Sequence, residues 1–140
     1  MGVDYSTTAG FGFVVSDDEI FAASVRLGAA PTLEIAQEEF PSDELETVLQ
    51  EVNKRMKERF PDDESGLRAQ FFSAGTMYTN AVKTVYIIVA KSLTIDEYTN
   101  KYHTSMSPEE MDNTAGFLYE VQELLGVEKP LEFHLGLYVY

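Results

Sequence analysis

The sequence predicts an α+β domain, a largely antiparallel sheet of about five strands with two helices on one face, in the order β-β-α-β-β-α-β. Three observations predict it. Two long segments repeat apolar residues at spacings of three and four, the period of a helix with one buried stripe. Several other segments alternate apolar and small or polar residues at period two, as half-buried strands do. The chain has 140 residues and a 44 % hydrophobic content, enough for one core and too little for two ordinary domains. Residues 1–140 are therefore read as a single domain.

The elements follow in order. Residues 3–15 read as a strand, with Tyr5, Thr7, Ala9, Phe11, Phe13 and Val15 on one parity and Gly10, Gly12 and Val14 on the other. The two glycines leave one face bare, the mark of a bulge or of a close approach by another element. Ser16-Asp17-Asp18-Glu19 is read as a polar turn, and Ile20 to Leu27 as the returning strand of a hairpin. Thr32 to Phe40 has room for a short helical turn. Pro41 and Ser42 then open a helix whose stripe is Leu45, Val48, Leu49, Val52, Met56 and Phe60. Ser42 is the expected N-cap, Asp43 and Glu44 meet the helix dipole, and Glu51 stands four residues before Arg55. Leu67 to Ala74 is the third strand. Lys83 to Ile95 is the fourth and longest, interrupted at Lys91.

The second helix has the clearest boundaries. Ser107 is its cap, Pro108 its first residue and Glu110 the partner of a capping box, with Met106 placed to pack on Met111. Met111, Ala115, Leu118, Val121 and Leu125 form its stripe, and Gly126 ends it. Leu131 to Tyr140 is the last strand, with Phe133, Leu135, Leu137 and Val139 on one parity and His134, Gly136, Tyr138 and Tyr140 on the other.

Composition excludes several classes of function. There is no Cys, which removes disulfide frameworks, iron–sulfur proteins, thiol enzymes and cysteine-built zinc sites. Twenty-four acidic residues against ten basic ones give a net charge of -14. Binders of the nucleic-acid backbone or of anionic membranes need clustered Lys and Arg, so neither DNA, RNA nor a membrane surface is an expected partner. A basic protein is. The acid is concentrated: residues 34–64 carry eleven acids and four bases, and residues 109–140 carry seven acids and one base. Those two segments hold the two helices. No apolar run exceeds the six residues from Val85 to Ala90, and Met1 to Tyr5 has neither a basic nor an apolar leader pattern. A cytoplasmic location is expected.

Motifs for catalysis are sparse. Only His103 and His134 offer imidazole, and neither sits in a nucleophile motif. Two histidines without cysteine do not make a common zinc site, and the acidic turns at 17–19 and 62–64 lack the alternating ligands of a calcium loop. Gly10-Phe11-Gly12 lacks the third glycine and the following helix of a dinucleotide fingerprint. No metal and no cofactor is expected. Eight tyrosines and nine phenylalanines are generous for this length. Tyrosine favours interfaces because one end is apolar and the other polar, so His134, Tyr138 and Tyr140 form a candidate docking face. A dimer through the C-terminal strand as a sheet edge is also open.

The opening Met1-Gly2-Val3-Asp4-Tyr5-Ser6, followed by Gly10-Phe11-Gly12-Phe13-Val14-Val15, resembles the start of small accessory or early proteins encoded by tailed bacteriophages. The resemblance covers about fifteen residues. It implies a host-cytoplasmic protein, and some small acidic proteins of that kind inhibit host defence by occupying a basic nucleic-acid site. It assigns no functional residue.

The reading that follows is a non-catalytic acidic protein that binds a basic protein. Its candidate contact residues are Glu38, Glu39, Asp43, Glu44, Glu46 and Glu51 on and before the first helix. Glu109, Glu110, Asp112, Glu120 and Glu123 on the second helix complete the set. The alternatives are a small-molecule, nucleotide-like binder using Tyr98, Tyr102 and His103, a small enzyme with His103 as base, and a structural role.

Overall fold

The computed structural model of the chain describes residues 5–76, 84–95 and 106–139. Its class is α+β, with mixed strand pairing. The order of elements is β1 (Tyr5–Val15), α1 (Asp17–Arg26), α2 (Leu33–Ala36), α3 (Pro41–Arg59), β2 (Gln70–Thr76), β3 (Val85–Val89), β4 (Leu93–Ile95), α4 (Pro108–Leu125) and β5 (Glu132–Val139). The expected order fails at one place that matters. The segment read as the second strand is helix α1.

The reason is local. Ser16 to Glu19 is not a turn between strands but a helix start. The Ser16 hydroxyl accepts from the Glu19 backbone N–H at 3.2 Å, and the Ser16 N–H donates to Glu19 Oε1 at 3.0 Å. That is a reciprocal capping box, and three acids in the first turn suit the dipole. Ile20, Phe21, Ala23, Ser24 and Leu27 are then buried at helical spacing. Thr32 caps the short α2 by a single bond, its hydroxyl accepting from the Ile35 N–H at 3.2 Å.

Helix α3 carries the expected stripe, with Leu45, Val48, Leu49, Val52 and Met56 buried, but its N-cap is Phe40 rather than Ser42. Pro41 takes the first helical position, where its missing N–H costs nothing, and Phe60 lies past the end, exposed. In α4 the Ser107 cap and the left-handed Gly126 stand where expected, with φ 75° at Gly126. The buried stripe is displaced: Thr114, Phe117, Leu118, Val121, Gln122 and Leu125 face inward and Met111 is exposed.

β2 begins at Gln70 rather than Leu67, and the long fourth strand is split into β3 and β4. Both halves pair with β1: Gly12 faces Val89, and Ala9 faces Leu93. Three steps along β1 thus match four along its partner. One extra residue is accommodated in the Ala90–Ser92 bulge, so β3 and β4 are two halves of one bent strand.

The sheet order is β3-β2-β5-β1-β4, and β3 also pairs with β1. β5 runs antiparallel to β1 from Tyr5 to Gly12 and meets β2 in parallel at Gly75 and Thr76. The sheet therefore closes on itself. β5 lies between two strands and is not the edge a strand-mediated dimer would use. Phe72, Ile87 and Val89 fill the inner side of the closed sheet, and glycines make room for them. A Cβ on Gly12 would stand 1.8 Å from the Ile88 carbonyl oxygen, and one on Gly136 would stand 2.8 Å from the Phe72 ring.

Helices α1, α3 and α4 cover the outer side over Phe13, Val15, Tyr86 and Ile88, where Leu45, Val48, Val52, Leu118 and Val121 complete the main core. The cover does not extend to β5. Phe133, Leu135 and Leu137 are 56 %, 69 % and 51 % exposed. His134, Gly136 and Tyr138 face the inner side, half-buried or buried. This reverses the expectation that the His134 and Tyr138 side would be bare, because curling of the sheet turned that side inward. Tyr140 lies outside the described residues.

Candidate functional site

Helix α3 ends at Arg59, and the chain turns through Pro61–Gly66 before entering β2. The turn is built from short polar side chains. Ser65 donates from its N–H and its hydroxyl to the two oxygens of Asp63, at 3.0 and 2.9 Å. Gly66 takes φ 72°, a value open to glycine. Asn53 of α3 then clasps the exit, donating to the Ala69 carbonyl at 3.0 Å and accepting from its N–H at 2.7 Å. These bonds fold the turn back onto α3, on the side where Asp112 to Glu120 of α4 stand.

Between them lies a cleft of about 700 Å³. Met56, Leu67 and Phe117 give it an apolar floor, the exposed Phe60 also lines it, and Gly116 opens it: a Cβ there would meet nothing within 4 Å. The rim is acidic, formed by Asp62, Asp63, Asp112 and Glu120 with Asn113. Among the described residues the one cation on the lining is Arg59, whose Nη1 donates to Glu120 Oε2 at 2.5 Å. Both side chains of that pair are part-exposed, 42 % and 36 %. Among the described residues, Asp62 and Asp112 have no ion-pair partner.

Of the carboxylates singled out in the sequence, only Asp112 and Glu120 reach this cleft. Glu38, Glu39, Asp43 and Glu46 are exposed near the other end of α3, and a helix of that length spans about 28 Å. The acidic residues do not form one patch. Glu44 is a correction: it is buried, and its Oε2 accepts from the buried Ser24 hydroxyl at 2.5 Å, so it joins α1 to α3 and does not face a partner. Glu51 is half-buried and paired with Arg55 at 3.0 Å. Glu109, Glu110 and Glu123 are exposed on α4. The sequence reads Asp62 and Asp63 as a solvated turn and Arg59 as one of the cations that suit the dipole at the end of its helix, not as part of a site. Adjacent acids just past a helix end rich in Lys and Arg were the available signal.

A second, smaller hollow of about 340 Å³ lies where α1 meets β5, lined in part by Val14, Glu19, Lys129 and His134. Lys129 Nζ stands 2.8 Å from Glu19 Oε1. Burial by itself would raise the Glu19 carboxyl, but the bonds from Lys129 and Ser16 outweigh it and hold it below its ordinary value. His134 Nε2 is buried and has no hydrogen-bond partner among the described residues. Tyr98, Tyr102 and His103, the residues of the small-molecule and enzyme alternatives, lie outside the described residues.

Among the described residues, no group of three or more His, Asp or Glu is gathered as a metal site would need, and no helix is long and apolar enough to cross a membrane. The cleft can receive an extended or helical cationic segment: its floor suits methylene groups, and its rim suits ammonium or guanidinium heads. No protein-family model, curated protein or solved structure matches the chain.

Proposed function

We propose that the protein is a non-catalytic acidic module that binds a basic segment of another protein in the α3–α4 cleft. One observation carries the reading: four carboxylates line a cleft with an apolar floor, and among the described residues the only cation on the lining is already paired to one of them. A net charge of -14 adds long-range attraction for a basic partner and speeds encounter. The same rim repels an anionic, nucleotide-like ligand. The resemblance of residues 1–15 to small phage proteins fits an inhibitor of a basic host or defence protein, acting in the host cytoplasm.

The test is a pull-down from host lysate at low and high salt, with wild type beside a variant carrying Asp62→Asn, Asp112→Asn and Glu120→Gln. The expected result is a basic protein retained by wild type at low salt, released by high salt and lost from the variant. Retention that the variant does not change removes the cleft from the reading, and a wild-type column that holds no basic protein overturns it.

A further inference from the structure

We propose that Arg59 occupies the cleft as a built-in competitor, and that the partner presents an arginine whose guanidinium takes its place on Glu120. The inference rests on the cleft being the site for a basic segment, and it adds the chemistry and regulation of that site.

Arg59 stands on the last turn of α3 with its head on the α4 carboxylate across the cleft, engaged through one nitrogen to one oxygen. A guanidinium can offer two parallel N–H donors to a carboxylate, so an incoming arginine with freedom to align forms a better pair than the one it displaces. Displacement is inexpensive because the pair is part-exposed, and such pairs contribute little to folding. Once released, Arg59 turns to solvent, while Asp62 and Asp112 offer further carboxylates to neighbouring cations of the same segment. The apolar floor selects against a bare polycation, since a segment with leucine or a similar residue beside each arginine covers Phe117 and Leu67 while it pairs at the rim. Arginine is preferred over lysine because the exchange turns on the planar fork rather than on charge alone.

The experiment uses the full chain and a fluorescein-labelled, capped peptide of alternating leucine and arginine, read by fluorescence anisotropy. Circular dichroism of each variant checks folding. Arg59→Gln is expected to tighten binding by about two- to fivefold, the range of one exposed ion pair. Arg59→Lys, which keeps the charge and loses the fork, gives a smaller gain. Lys54→Gln is the control: it is exposed on the same helix and lies off the cleft lining.

A gain specific to Arg59→Gln, with weaker binding of the lysine version of the peptide, supports the proposal. No gain, or an equal gain in Lys54→Gln, overturns the competitor role and leaves the cleft reading standing. Asp62→Asn with Asp112→Asn separates the two: if the peptide does not bind wild type, or binds this variant equally well, the cleft reading fails and the competitor role falls with it.

Discussion

Glu19 and Glu44 are both carboxylates in the first turn of a helix, and their surroundings give them different work. Glu44 is closed in by α1 and α3 and answers a single buried hydroxyl. Glu19 is part-exposed, completes the cap of α1 and reaches Lys129 just before β5. Its carboxyl is held below the ordinary 4.5, so its contribution is full above that value and is lost as pH falls through the folded-state value. Glu19→Gln is expected to cost about 0.5–1 kcal/mol at neutral pH. The gap between wild type and variant should narrow as pH falls through the folded-state value, measured by urea unfolding at neutral and at acid pH. A gap that persists unchanged in acid would show that the charge of Glu19 is not what α1 uses.

At the scale of elements, α4 is the helix whose composition bears most on the site. Gly116 sits in its middle, where glycine costs helical stability and supplies no packing. Nothing lies within 4 Å of the space its Cβ would fill. Gly116→Ala is therefore expected to stabilise the protein by about 0.5–1 kcal/mol, measured as a shift of the urea midpoint. Because Gly116 lines the cleft, the same change should weaken binding of the leucine–arginine peptide. Stability that falls instead would mean that the helix meets a neighbour at this position. The stripe of α4 is also shifted: Met111 in its first turns is exposed, while Thr114 and Gln122 are buried further along. Gln122 is satisfied there by both backbone groups of Lys129.

At the scale of the whole molecule, closure of the sheet is the governing feature. It needs β1 and β3 in contact where Gly12 passes Ile88, with no space for a side chain. Gly12→Ala is expected to cost on the order of 3 kcal/mol, since backbone rather than a flexible side chain would have to move. Thermal and urea unfolding check this, and a stability within about 0.5 kcal/mol of wild type would contradict the closed arrangement. Closure also explains the bare outer row of β5. The helices cover β1 and β3, and among the described residues no helix covers the outer row of β5.

The α+β class, the two long helices, the Ser107 cap, the Gly126 stop and the interruption at Lys91 were legible from residues alone, because each rests on local periodicity or on capping chemistry. Helix α1 was legible in principle: Ser16 and Glu19 stand at capping-box spacing, and Ile20 to Leu27 admits a helical period as readily as an alternating one. Short apolar runs are ambiguous in this way until a neighbour decides which face is buried. Other features belong to the tertiary structure. The glycine parity of β1 announced a close approach, but only the closed sheet shows that the neighbours are Ile88 and Val89. Alternation in β5 separated two faces without saying which was inside, since period two is symmetric between them. The cleft joins residues more than forty positions apart, from Met56 to Glu120. Its acids looked like ordinary solvated charges in the sequence, because charge is a property of residues and a binding site is a property of their arrangement in space.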